Sequence, residues 1–182
     1  MRSAARQLVI ANPGAADYVA AARASLAAGD HAHAVEMLAA ALSLEPDHAG
    51  RLAELDAILE SAEDVEALLA TDDEAFFGVV AVRARWLWQQ RRHGLAFALM
   101  LQVMAARPDT ALGSWLPTDD RTLKRLRWPE LAAYAADAVS ALEPAHRAGA
   151  GAWLTTWLRR FRAVATATPH KRAMELLEVR AL

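Results

Sequence analysis

The feature that most constrains the fold is an alanine-rich stretch, residues 18–48, divided in the middle by Gly29-Asp30 and ended by Pro46. Gly29 suits the left-handed residue that follows a helix, and Asp30 suits the next N-cap, because its carboxylate accepts from a free backbone N–H. Proline cannot continue a helix. Between these points one apolar stripe is spaced i, i+4, i+7 and i+8: Ala34, Leu38, Ala41 and Leu42. The stretch therefore predicts two short amphipathic helices joined by a tight turn.

These two helices resemble a tetratricopeptide repeat, a helix–turn–helix unit of roughly 34 residues with the pattern Trp-x2-Leu-Gly-x2-Tyr, Ala-x3-Phe, Pro. The positions of that pattern hold Tyr18, Ala21, Ala22, Ser25, Ala34, Leu38 and Pro46. The second helix fits well, whereas the first departs from the pattern at Ala21 and Ser25. The resemblance covers about residues 15–48. It implies an all-α fold in which such repeats stack as a short α-solenoid.

A second, degenerate repeat is expected over about residues 77–109. Alignment on Pro108 places Ala96 and Met100 at the alanine and phenylalanine positions of the family. Gly94 then falls three residues later than the glycine of the first repeat, so the turn between these two helices is expected to depart from the pattern.

The family resemblance also implies where a partner would bind, since the first helix of each repeat lines a concave groove. Carried over position by position, the groove residues are Val19, Arg23, Leu26, Ala81, Arg85, Trp88 and Gln89. Arg23, Leu26, Arg85, Trp88 and Gln89 are the expected partner-binding residues. Val19 and Ala81 stand where family members that grip a carboxylate-ended peptide carry polar side chains. The groove is therefore expected to hold an acidic or aromatic-bearing segment of another protein.

The rest of the chain predicts further helices. Residues 1–14 are expected to form a leader, and residues 15–182 a single all-α domain with a repeat-like part (15–70), the degenerate repeat (71–109) and irregular C-terminal helices (110–182). Within it, residues 49–61 predict a third helix that covers the edge of the first repeat. Residues 149–151, Gly-Ala-Gly, predict a flexible junction before a helix at 152–164, and a last helix is expected from Thr168 to about Arg180.

Charge is divided unevenly along the chain. Residues 1–82 carry 4 basic and 14 acidic side chains, a net charge of −10, and residues 83–182 carry 16 basic and 8 acidic ones, a net charge of +8. All six tryptophans lie in the basic part. Two interpretations are open. The halves attract each other within one fold or between copies, or the Arg/Trp-rich half binds nucleic acid, anionic lipid or another acidic partner.

Signals of catalysis are weak. The sequence has no cysteine, which removes disulfide and thiolate chemistry and fits a reducing, cytoplasmic location. Gly149-Ala-Gly151 is only a fragment of a dinucleotide-binding fingerprint, and no phosphate-binding loop or metal-ligand spacing occurs. Arg83 and Arg85 interrupt the longest apolar run, so no membrane span is expected. We expect no catalytic residue, metal or cofactor, and a role as an adaptor, scaffold or chaperone. An alternative is the repeat region of a larger bacterial enzyme such as a glycosyltransferase.

Overall fold

A computed structural model describes residues 13–70, 77–116 and 119–164. This part of the chain is helical and contains no strand, which confirms the all-α prediction. Its α-helices are α1 (Ala15–Ala27), α2 (His31–Leu44), α3 (Ala49–Ser61), α4 (Val65–Leu68), α5 (Phe77–Gln89), α6 (His93–Ala106), α7 (Asp120–Arg125), α8 (Trp128–Ala141) and α9 (Pro144–Val164). A 3₁₀ helix at Ala111–Trp115 follows α6.

The helices group into two compact units that divide within α5, between Val79 and Val80. This is close to the point where the charge of the sequence changes sign. The first unit carries the acidic part of the chain and the second unit the basic part.

In the first unit α2 packs against both α1 and α3. Its core consists mainly of small and aliphatic side chains: Ala22, Ala34, Val35, Leu38, Ala39, Ala41, Leu42, Leu55, Ile58 and Leu59. Alanine keeps the helices close together because it adds little bulk to the contact surface. The start of α5 also approaches α2, since a Cβ placed on Gly78 would lie 3.2 Å from the backbone of Ala39.

The turn between α1 and α2 has the predicted form. Gly29 has a φ of 75°, in the left-handed region. The carboxylate of Asp30 accepts a hydrogen bond of 3.1 Å from the backbone N–H of His33. The predicted apolar stripe of α2 is fully covered, because Ala34, Leu38, Ala41 and Leu42 are each at most 1 % exposed.

The next predictions are confirmed in part. α3 has the predicted bounds and buries Leu55, Ile58 and Leu59. Asp64 caps α4, which is only 4 residues long. Residues 71–76, at the start of the expected degenerate repeat, lie outside the described residues, as do residues 1–12 of the expected leader.

In the second unit α6 lies at the centre and packs against α8, α9 and the 3₁₀ helix. α6 is almost entirely apolar, and its eight buried residues extend around more than half of the helix. Two side chains of α6 and four tryptophans of α5, α8 and α9 form an aromatic cluster: His93, Phe97, Trp88, Trp128, Trp153 and Trp157. Trp157 lies at the centre of this cluster, with its ring centroid 4.9 Å from that of Phe97 and 5.8 Å from that of Trp88.

The hairpins α1–α2 and α5–α6 have the same local structure. In each hairpin the first helix has 13 residues and the second has 14. Each bound of the second hairpin lies 62 residues after the corresponding bound of the first, so that Ala15 corresponds to Phe77 and Leu44 to Ala106. Between residues 15 and 47, six residues are identical at this offset: Ala22 and Ala84, Arg23 and Arg85, His31 and His93, Ala34 and Ala96, Pro46 and Pro108, Asp47 and Asp109.

The turn between α5 and α6 differs from the prediction. Gly94 lies inside α6, where a Cβ would meet the ring of Tyr134 on α8. The left-handed position is occupied by Arg91, with a φ of 61°, which corresponds to Gly29. The closing hydrogen bonds also correspond: Asp30 N–H donates to the Ser25 carbonyl, and Arg92 N–H donates to the Leu87 carbonyl, both at 2.9 Å. The second turn therefore keeps the register of the first, and its glycine serves helix packing instead.

The C-terminal part of the chain also differs from the prediction. The expected junction at Gly149-Ala-Gly151 lies within α9, a continuous helix of 21 residues. Glycine only weakens a helix, by about 1 kcal/mol relative to alanine. The burial of Ala150, Leu154 and Trp157 along one side of α9 offsets that cost. The helix expected from residue 168 lies outside the described residues.

Candidate partner-binding groove

A groove of about 360 Å³ runs between α1 and α3 in the first unit. Small side chains and charged side chains line it: Ala16, Val19, Ala20 and Arg23 from α1, and His48, Gly50, Arg51 and Glu54 from α3 and its N-cap. The volume lies at the lower end of the range for ligand pockets, about 300–1,000 Å³.

The α1 wall follows directly from helical geometry. Ala16, Val19, Ala20 and Arg23 are spaced i, i+3, i+4 and i+7, so they form one stripe along the helix. The other side of α1 buries Ala22 and Ser25. The two alanines, both exposed, leave room above the helix backbone, and the half-buried Val19 supplies an apolar contact.

The α3 wall begins at the N-cap of that helix. Nδ1 of His48 accepts from the backbone N–H of Arg51 at 3.4 Å. Gly50 adds no side chain to the groove. The Arg51 side chain is only 13 % exposed, and its Nη1 lies 2.6 Å from Oε2 of Glu45 in the preceding turn. This ion pair holds the guanidinium at one end of the wall.

An ion pair also joins the two walls. Nη2 of Arg23 on α1 donates to Oε1 of Glu54 on α3 at 3.0 Å. The side chains are 68 % and 39 % exposed, so water and salt screen the pair. Exposed pairs of this kind contribute about 0.2–1 kcal/mol. A charged group on a ligand can therefore replace either partner of the pair at small cost.

The residues predicted to bind a partner are not all brought together. Val19 and Arg23 line the groove, whereas Leu26 is half-buried and does not. The sequence reasoning missed the whole α3 wall, because it assigned α3 only to covering the edge of the hairpin. The i, i+3 and i+6 spacing of His48, Arg51 and Glu54 was the signal available.

In the second hairpin the predicted binding residues have different surroundings. Trp88 is only 8 % exposed, and its ring lies 4.7 Å from that of His93 and 5.8 Å from that of Trp157. The structure therefore places Trp88 in the aromatic cluster, where its ring does not face solvent. Arg85 is half-buried and Gln89 is exposed at the end of α5.

Among the residues that the structure describes, two titratable groups have shifted pKa values, and neither lines the groove. Burial lowers the pKa of His93, the charge of Glu130 opposes this, and the charge of Arg91 adds to it. The Thr122 hydroxyl and then the Thr122 backbone N–H lower the pKa of Asp119, which caps α7. Packing and helix capping account for both shifts.

The described residues hold no group of three acidic or histidine side chains arranged to bind a metal ion. Across the same ranges, none of the helices combines the length and the apolar character that a bilayer crossing requires. Comparison with protein-family models, curated proteins and solved structures finds no match to this chain.

Proposed function

We propose that this chain is a non-catalytic protein–protein interaction module of the tetratricopeptide-repeat type, and that the groove between α1 and α3 holds an extended segment of a partner protein. The observation that carries the proposal is the groove itself. Its walls come from α1 and α3, and the resemblance implies that the first helix of a repeat, here α1, lines such a groove. The recurrence of the hairpin 62 residues later supports the same assignment.

The groove chemistry favours a segment with small or aliphatic side chains and at least one charge. Ala16, Val19 and Ala20 offer an apolar strip, and Arg23 and Glu54 offer one charge of each sign. A carboxylate on the segment would pair with Arg23 in place of Glu54. Trp88 takes no part in this proposal, because its ring is buried.

The test uses a displayed library of linear peptides selected on the full chain, followed by anisotropy measurements with the enriched peptides. Ala20→Phe would fill the groove from its exposed α1 wall, and should weaken peptide binding roughly tenfold or more, since it removes the space the ligand needs. Ala32→Phe is the matched control, because Ala32 is also exposed but lies on α2, outside the groove. Circular dichroism checks that both variants remain helical.

Equal binding by Ala20→Phe and the unmodified chain would place the peptide site elsewhere and overturn the groove assignment. Failure to enrich any peptide above the background of an unrelated helical protein would contradict the interaction-module proposal itself.

A further inference from the structure

A second charged feature, in the other unit, is independent of the groove. Exposed cations extend along α7 and the turn after it, and α9, which packs against α7, adds two more. We call this set the basic surface: Arg121, Lys124, Arg125, Arg127, Arg159 and Arg160, all exposed. Five cations on two neighbouring helices and one in the turn after α7 concentrate the positive charge of this half of the chain.

Most of this charge is not neutralised within the described part of the chain. Arg127 forms an ion pair with Glu130 at 3.2 Å, but its side chain is 86 % exposed. No ion pair of the described residues involves the other five cations. The carboxylate of Asp119 accepts from the backbone N–H and the hydroxyl of Thr122, so it is engaged in capping α7.

The chemistry of the basic surface suits phosphate. Five of its six cations are arginine, whose planar guanidinium pairs with a phosphate or a carboxylate through two parallel hydrogen bonds, so the surroundings of these cations decide between the two. A surface that binds another protein is expected to have an apolar centre with charged residues around it. Within the described residues, the exposed large apolar side chains are Leu44 on α2 and Tyr134 on α8, and neither belongs to this surface.

The burial of the neighbouring aromatic side chains favours a double-stranded nucleic acid over a single-stranded one as the ligand. Binding of single-stranded nucleic acid relies on bases that stack on exposed aromatic rings. Trp128 and Trp157, the tryptophans adjacent in sequence to these cations, are each 1 % exposed, and they serve the core of the unit. Among the described residues of this surface, the same lack of exposed rings leaves no group that would insert into a lipid surface. The kind of binding that requires no exposed ring is contact with the regularly spaced phosphates of a duplex.

We propose that the basic surface binds the phosphate backbone of double-stranded nucleic acid without reading its base sequence. The contacts of this surface with the duplex are electrostatic. Their affinity falls as the salt concentration rises, because the release of counterions from the nucleic acid then contributes less free energy. The acidic first unit, with its net charge of −10, is repelled by the same phosphates. Binding is therefore confined to the second unit.

The experiment measures fluorescence anisotropy of labelled DNA duplexes of two unrelated sequences against the full chain, over a range of potassium chloride concentrations. The triple variant Arg121→Gln, Lys124→Gln, Arg125→Gln removes three cations from α7. It should weaken duplex binding roughly tenfold at low salt and reduce the slope of log K against log salt by about 2.7, since each phosphate contact contributes about 0.9. Arg159→Gln with Arg160→Gln, on the other helix, should reduce the slope by about 1.8.

The matched control is Gln90→Glu, Gln102→Glu, Ala133→Glu, which changes the net charge by the same amount at exposed positions outside the basic surface. It should retain most of the affinity. Equal weakening by the control and the α7 variant would show that overall charge, not this surface, controls binding, and would overturn the proposal.

Three further probes decide the class of ligand. The single strand of the same sequence, polyglutamate, and vesicles of phosphatidylserine and phosphatidylcholine should each bind more weakly than the duplex at the same salt. Tighter binding of any one of them, or unchanged duplex binding by both glutamine variants with intact helicity, would overturn the proposal.

Discussion

The two hairpins, α1–α2 and α5–α6, share helix lengths, turn register and four identical residues, and two more identical residues follow each hairpin, yet the hairpins bury different sides. In α1 the side chain of Leu26 is half-buried, whereas the corresponding Trp88 of α5 is buried in the aromatic cluster. Val19 lines the groove, whereas the corresponding Ala81 is completely buried. The comparison shows that local sequence sets the hairpin, and that the neighbouring helices decide which of its faces remain available to a partner.

The largest expected effect comes from a charge in the most tightly packed contact of the first hairpin. Ala34 and its counterpart Ala96 are both 0 % exposed. Ala34→Asp places an unpaired carboxylate there and should cost roughly 3–5 kcal/mol of unfolding free energy. Chemical denaturation followed by circular dichroism measures the loss. Ala32→Asp, exposed near the start of α2, is the control and should be close to neutral. Unchanged melting of Ala34→Asp would rule out the hairpin packing described for the first unit.

The next prediction separates the two first helices. Trp88→Ala leaves a cavity beside Trp157 and should cost about 3 kcal/mol, whereas Leu26→Ala, at the half-buried counterpart, should cost about 1 kcal/mol or less. Denaturation curves of both variants, recorded by circular dichroism, test the difference. Similar costs for the two substitutions would show that the two positions have equivalent surroundings, contrary to the structure.

A smaller effect is expected at the turns. Arg91 occupies the left-handed region that Gly29 occupies in the first turn. Arg91→Gly should raise the unfolding free energy by about 1 kcal/mol, because glycine has no Cβ to strain there, and Gly29→Ala should lower it by about the same amount. Thermal melts of the two variants measure both signs. An Arg91→Gly variant less stable than the unmodified chain would mean that the arginine side chain contributes more than its backbone strain costs.

The smallest effect concerns the identical histidines His31 and His93. Burial lowers the pKa of His93, so below about pH 6.5 the unfolded chain takes up a proton before the folded chain does. This contribution to stability is present above that pH and is lost as pH falls through the folded-state pKa. Denaturation followed by tryptophan fluorescence, which reports only on the second unit, should show the loss.

His93→Gln should reduce this pH dependence, and His31→Gln, at an exposed position, should leave it unchanged. The same acid loss in His93→Gln as in the unmodified chain would assign the pH dependence to other groups.

Sequence reasoning was most successful where local signals agree. Gly29, Asp30 and Pro46 set the ends of α1 and α2, and the apolar stripe of α2 is buried as predicted. It failed at Gly94 and at Gly149-Ala-Gly151, where glycine was expected to interrupt a helix. At Gly94 the close approach of Tyr134 requires a residue without a side chain, which no local pattern in the sequence shows.

The candidate groove was predicted only on its α1 side. The i, i+3, i+4 and i+7 positions of α1 follow from one helix, so Val19 and Arg23 could be placed from sequence. The α3 wall depends on how α3 packs on α2, which depends on contacts between residues far apart in the chain. Trp88 was expected to face a partner because arginine and tryptophan are typical of binding sites, but the same ring also fits a core when other aromatic residues surround it.

The sequence by itself determined the all-α class, the register of the first hairpin and the separation of charge along the chain, because these depend on helix capping, on periodicity and on counts of residues. Only the tertiary structure decided which helix faces are covered: it placed α3 beside α1 to form the groove, and gathered four tryptophans around α6. The physical reason is that burial depends on partners distant in sequence, and an amphipathic helix carries no information about which neighbour will cover its apolar face.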